Sequence, residues 1–228
     1  MIFNIAFFKE SLFAAIPYIP VTLLLAFIPL IIGLILGFIV ATVRVYKIPV
    51  LSQILRVFIT FYSGIPDMVS LLLFNLIYIT FFEPSAFGGI VLVLLVFTLD
   101  RIVYLSESIR GAYYSISKGQ YESAYSVGFT EFQTLRKIIV PQIIPVALPS
   151  MTGHIVGAIK NTSIVMVVGV YDVLNSALKP CMETYSFIEG YVAAAIIFWG
   201  INALVEYLLS RAEKSLKSKE NRLGTSYV

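Results

Sequence analysis

Residues 117–141, SKGQYESAYSVGFTEFQTLRKIIVP, are a polar interruption in a chain otherwise composed for lipid. The stretch predicts two short helices joined at a glycine. Ser117 can cap the first, with Gln120 three residues on completing a capping box, and Thr130 and Gln133 repeat the arrangement. Gly128 supplies a left-handed stop between them. Tyr121, Ala124 and Tyr125 lie at i, i+3 and i+4 and share one face, while Glu122 points elsewhere. The product is a small knob with an aromatic tip. On a membrane protein, such a knob suits docking into a groove on a soluble partner.

Outside this stretch the composition belongs to an integral membrane protein. Hydrophobic residues make up 59% of the 228 and charged residues only 13%, with a mean hydropathy of +0.92. Residues 11–43, 68–82, 84–99, 138–159, 161–171 and 190–205 carry no charge. Joined across single charges to reach the roughly 20 residues that cross hydrocarbon, they predict five spans. These lie near 19–43, 57–81, 87–109, 139–171 and 189–210, the fourth being long enough to contain a break. The expected architecture is all-α, one transmembrane domain over 1–228, with a cytoplasmic loop at about 112–141 and a basic tail at about 211–228. The first apolar stretch is too long for a signal peptide and has no basic run ahead of it. With one cysteine, Cys181, no internal disulfide forms.

Orientation follows from basic residues. With the N-terminus outside, Arg44, Lys47, Arg56, Arg110, Lys118, Arg136, Lys137, Arg211, Lys214, Lys217, Lys219 and Arg222 all face the cytoplasm. Only Lys9 and Lys179 fall outside, and Arg101 and Lys160 lie within spans. That bias puts both the knob and the C-terminus in the cytoplasm. A net charge of +3 reflects this topology and does not point to nucleic acid.

No GxxxxGK[ST] phosphate loop, metal-ligand cluster or nucleophile triad appears, so neither catalysis nor a metal is expected. His154, amid apolar residues, reads as a hydrogen-bonded interior side chain. Charges inside spans are costly unless paired or hydrated, which marks Asp67, Asp100, Arg101 and Glu107. Neighbours on a helix do not face each other, so Asp100 and Arg101 are expected to reach adjacent spans and not to pair together. Glu107 and Arg110, three apart, are expected to pair. Asp67 follows Gly64-Ile65-Pro66, where a kinked or broken helix is expected. Lys160, Asn161, Thr162 and Ser163 place four polar residues in succession inside the fourth span, natural for a helix that lines a hydrated cavity.

Lys118-Gly119-Gln120, Glu122-Ser123-Ala124, Gly128, Pro141-Gln142 and Pro149 resemble the cytoplasmic EAA loop of permease subunits of type I ABC importers. Tyr104–Gly111, YLSESIRG, and Lys160–Ser163, KNTS, narrow the resemblance to polar amino-acid permeases of bacterial cell membranes. Residues 18–22 and 44–50 look most like cystine-type permeases. The resemblance implies a second permease subunit, identical or not, two cytoplasmic ATPase subunits that carry the ATP-Mg, and an extracellular substrate-binding protein. The knob becomes the coupling helix, with Gln120, Tyr121, Glu122, Ala124, Tyr125 and Gly128 as the ATPase contact. Asp67, Arg101, Lys160, Asn161, Thr162 and Ser163 become candidates for the substrate pathway. One departure is plain: where the family commonly has Arg-Gly-Thr-Pro, this chain has Ser63-Gly64-Ile65-Pro66 followed by Asp67. Two rival readings are an ion-coupled secondary transporter, which would show repeated halves, and a membrane anchor, which would have no need of polar groups in its spans.

Overall fold

A chain immersed in hydrocarbon must satisfy its backbone N–H and C=O groups internally, and this one does so with helices. The computed structural model describes residues 3–222, and these contain no strand. Asn4 caps α1 (Ile5–Ala15), its side chain accepting from the Ala6 N–H at 2.9 Å. One 3-10 turn, Ile16–Tyr18, leads into α2 (Ile19–Val45), and prolines 17 and 20 fall in opening turns where a missing N–H costs little. The result is one apolar run, Ile5–Val45, which begins well ahead of the first span expected at 19–43.

The second expected span is broken. Helices α3 (Leu51–Tyr62) and α4 (Asp67–Phe81) are bent by 102° across Ser63-Gly64-Ile65-Pro66. Pro66 disfavours helix in the residue before it and offers no donor of its own, so α3 stops and α4 starts afresh. Ser85 caps α5 (Ala86–Ser115), accepting from the Gly88 N–H at 3.0 Å. After α6 (Lys118–Ser126) and α7 (Glu131–Thr134) comes a wide π turn, Leu135–Ile139, just before Pro141 deprives the ladder of a donor. Helix α8 (Val140–Asn161) then passes into a 3-10 segment, Thr162–Val168, that ends at Gly169 with φ +76°. Short helices α9 (Val173–Leu178) and α10 (Cys181–Thr184) precede α11 (Phe187–Arg222). Among the described residues, four runs are long and apolar enough to cross a bilayer, and the bent α3–α4 pair makes a fifth if counted as one. The last part of the expected basic tail, 223–228, lies outside the described residues.

The tightest seam joins α2 to α5. Pro29, Gly33, Gly37 and Ala41 recur every fourth residue of α2 and are all buried. A Cβ on Gly33 would stand 2.4 Å from the Arg101 Cβ, and one on Gly37 would stand 3.2 Å from the Ser106 nitrogen. Small residues let the two backbones touch, which is how apolar helices gain packing energy where lipid offers no hydrophobic drive. Leu25 meets Val93, Val96 and Phe97 at one end of the seam, and Ala41 meets Ile109, Ala112 and Tyr113 at the other, so the helices run parallel. Helix α11 packs alongside α1, and Ala158 and Ile159 of α8 meet Phe198, Ile201 and Val205 of α11. Gly33→Ala should therefore destabilise the fold by about 1–3 kcal/mol through overpacking. Gly111→Ala, with nothing within 4 Å, should be neutral or stabilising. Thermal unfolding in detergent micelles, compared for the two variants, measures both.

Candidate functional site

The polar loop folds onto one end of the bundle as two capped helices. Ser117 caps α6, but its side chain accepts from the Gly119 N–H at 3.3 Å, and Gln120 does not close the expected box. Gln120 turns instead toward α8, where its Oε1 accepts from Gln142 Nε2 at 3.4 Å. Gln142 also donates to the Ile138 carbonyl at 2.7 Å, tying α6 to the π turn. The second box forms as expected: Thr130 accepts from the Gln133 N–H at 3.3 Å, and Gln133 accepts from the Thr130 N–H at 2.9 Å. Gly128 takes φ +84° between the helices, as its position predicts.

The shared aromatic face divides. Ala124 is buried, and Tyr121 packs against the core formed by Ala41, Ile109, Tyr113 and Ile139, so these two root the knob. Burial pushes the Tyr121 phenol upward and the neighbouring Tyr46 phenol up to about 12, so both stay neutral. Tyr125 remains 44% exposed and Glu122 exposed. Beside them stand Val127 and Phe132, among the most exposed apolar side chains of the loop. Their exposure beside a polar helix was not read from the sequence, although both sit where the capping signals had already placed the ends of the two short helices.

A second polar assembly lies inside the bundle, where α4, α5 and α8 meet. Arg101 and Asp100 are both buried and pair with each other, contrary to the expectation drawn from helical spacing. The length of the arginine stem lets the guanidinium fold back to the preceding residue. The same guanidinium donates through Nη1 to the His154 carbonyl on α8 at 3.3 Å, so it also reaches a neighbouring span. Asp67, at the start of α4, sits beside Asp100 and accepts from Asn161 Nδ2 at 2.5 Å. Two helix breaks thus meet at one hydrogen bond: the α3–α4 bend and the end of α8. His154 is the expected interior histidine, with Nε2 2.8 Å from Ser108 Oγ and its ring stacked on Tyr104 at 6.0 Å. Glu107 accepts from Arg110 at 2.6 Å as expected, and also pairs with Arg44 of α2.

The Lys160–Ser163 island does not act as one face. Asn161 joins the cluster; Thr162 is fully buried and donates to the Ile159 carbonyl at 2.8 Å; Ser163 donates to the Lys160 carbonyl at 2.8 Å. Lys160 is exposed on the other side of α8, toward α11. Of the six pathway candidates, the fold therefore gathers Asp67, Arg101 and Asn161. Among the described residues, no group of three or more histidine, cysteine or acidic side chains is placed to hold a metal.

A sheathed polar cluster thus lies within an apolar helical bundle, and a rooted polar helix projects at one end. Residues 33–218 match the family described as the binding-protein-dependent transport system inner membrane component, and the chain belongs to that family. It is 34% identical to a probable amino-acid ABC transporter permease, PatM, of Vibrio harveyi, over 94% of this chain and 96% of that one. It is 30% identical to the L-cystine transport system permease TcyL of Bacillus subtilis (strain 168), over 92% and 90%. A crystal structure of an amino acid ABC transporter with histidines superposes with TM-score 0.82 at 26% identity, covering 94% of this chain and 100% of that one. An inward-facing methionine ABC transporter, MetNI, shares the fold with TM-score 0.64 at 16% identity. These likenesses favour an ABC permease over an ion-coupled secondary transporter.

The buried pair yields a stability prediction. Removing one member of a buried ion pair strands the other, at about 3–5 kcal/mol. Arg101→Met should cost that much, because Asp100 and Asp67 then face each other without the guanidinium. The double variant Asp100→Leu with Arg101→Met should recover most of the loss. Unfolding midpoints in micelles, read as a double-mutant cycle, give the coupling.

Proposed function

We propose that this chain is the membrane half of an amino-acid importer, embedded in a bacterial cell membrane with its N-terminus outside and its C-terminus in the cytoplasm. It pairs with a second permease, identical or not, and works with two ATPase subunits that bind ATP-Mg and an extracellular binding protein that delivers the substrate. The observation that carries this reading is the rooted α6 helix. Tyr121 and Ala124 anchor it, Gln120 links it to α8 through Gln142, and Glu122, Tyr125, Val127 and Phe132 are left exposed. A displaced α6 pulls on α8, whose far end carries Asn161 and its bond to Asp67. Closure of the ATPases thus has a mechanical route to the polar cluster, as rocking of packed helices requires. Asp67, Arg101 and Asn161, the three candidates that the fold gathers, belong to the region through which substrate passes. The anchor reading accounts for the knob and leaves the buried polar cluster without a purpose.

Gly128→Val tests the coupling. The site has open space for a side chain, so the penalty is purely the left-handed backbone, about 1–2 kcal/mol, and it falls on the turn that aims α6. Uptake should drop several-fold while the amount of inserted protein stays the same. Normal copurification with the ATPase together with normal uptake would show that α6 is not the contact.

Orientation is tested separately by cysteine labelling in a Cys181→Ser background. Lys118→Cys should react only from the cytoplasmic side and Lys179→Cys only from outside. Both positions are exposed, so silence at either is not explained by burial. Reactivity on the opposite sides would invert the arrangement.

A further inference from the structure

An apolar groove of about 590 Å3 opens on the surface of the bundle between α2 and α8. Leu34, Ile35 and Ile39 form one wall, Ile144 and Leu148 the other, and Ile109 of α5 the floor. Ile35, Ile39 and Ile144 are each more than half exposed. On α8 the groove runs from Val140 to Met151, about 16 Å at the rise of a helix, which is close to one leaflet of a hydrocarbon core roughly 30 Å thick. None of the lining side chains is polar, and only Ala147 is smaller than valine. Helices associate in lipid through small residues and side-chain hydrogen bonds, as α2 and α5 do at Gly33 and Gly37. This groove offers an incoming helix almost nothing of either kind. Its length and lining suit a flexible chain of methylenes.

A cation stands at the end of the groove where α8 begins. Arg136 lies four residues before Val140, so it falls on nearly the same face whether the turn is counted as regular or as the wide one in which the Val140 N–H reaches back to Leu135. Its side chain is exposed and has no ion pair or hydrogen bond among the described residues. Lys137, beside it, leans instead over the Phe129 ring at 5.3 Å.

We propose that the groove is a binding site for an anionic phospholipid, one acyl chain lying between α2 and α8 and the phosphate meeting Arg136. A guanidinium presents a planar fork to two phosphate oxygens, and its stem can lie along an apolar wall while its head stays at the membrane surface. A free phosphate makes no use of the groove, and an uncharged lipid makes none of Arg136. The two features together select a lipid with a negative head. Ile109, Ile143 and Ala147 line the groove and also belong to the core against which Tyr121 packs, so lipid and knob brace one core from two sides. Only the assignment to the cytoplasmic leaflet rests on the orientation proposed above.

The test uses the full chain, purified with whatever subunits accompany it, in phosphatidylcholine nanodiscs. Two trace probes with the same diazirine-bearing acyl chain are photolysed in turn, one phosphatidylglycerol and one phosphatidylcholine, and the labelled peptides are mapped by mass spectrometry. Phosphatidylglycerol should label the groove walls about five-fold more than phosphatidylcholine, the ratio that one basic side chain at an anionic surface gives. Arg136→Gln should bring the two probes level, and Arg136→Lys should keep part of the preference. Ile144→Trp, which fills the groove from an exposed position, should remove the label of both probes there and leave labelling of the Trp199 face of α11 unchanged. Absence of label on the walls in the wild type would overturn the site, because a helix of the second permease then covers it. Equal labelling by the two probes in the wild type, or a preference that survives Arg136→Gln, would overturn it as well. The nanodisc has the same lipid on both sides, so this result does not depend on which way the chain is inserted. Inverted cysteine labelling at 118 and 179 would overturn the orientation alone, which separates the two failures.

Discussion

The contact of Gly33 with Arg101 governs the interior of this protein. Two backbones come close enough that a single added methyl would overlap the Arg101 Cβ, and the Asp100–Arg101 pair sits at that point of closest approach. From this contact the arginine side chain turns both along its own helix and toward α8. It meets Asp100 on one side and the His154 carbonyl on the other. A guanidinium has donors enough to serve two partners in a plane, which a lysine in the same place could not reproduce. The helix seam and the charge arrangement are thus one constraint seen at two scales.

The breaks in the helices follow from the same economy. An interrupted helix exposes backbone groups, and inside a membrane these are tolerated only where protein or a wet cavity receives them. The α3–α4 bend and the end of α8 are set against each other, and Asp67 and Asn161 close the gap between them. At the other end of α8, the π turn before Pro141 is steadied by Gln142, whose side chain holds both the Ile138 carbonyl and Gln120. Helix α8 is therefore tied at one end to the loop and at the other to the polar cluster, with Pro145 and Pro149 within its length.

What the sequence disclosed was local. The left-handed Gly128, the Thr130–Gln133 box, the Glu107–Arg110 pair and the break before Pro66 depend on residues a few positions apart, and spacing alone announces them. The rooting of Tyr121 beneath the knob, the return of Gln120 toward Gln142 and the Asp100–Arg101 pair depend on what lies across the bundle. Helical spacing argued against the last of these because it ignores the length of an arginine stem. Gly33 and Gly37 did carry a signal, a small-xxx-small repeat within an apolar run. Helix α1 was hidden in an apolar run already long enough to cross the membrane once without it.

The parallel pairing of α2 with α5 also has a consequence for synthesis. Thr42 bonds Tyr113 across this seam, 71 residues further along the chain. At about 5–20 residues per second, the ribosome delivers the second partner roughly 4–14 s after the first. During that interval the glycine face of α2 has lipid or the insertion machinery for company, and the α3–α4 bend must be threaded before the true neighbour arrives. The seam between α2 and α5 therefore closes only after α5 has been made, and until then the narrow glycine face of α2 stands open to other apolar segments.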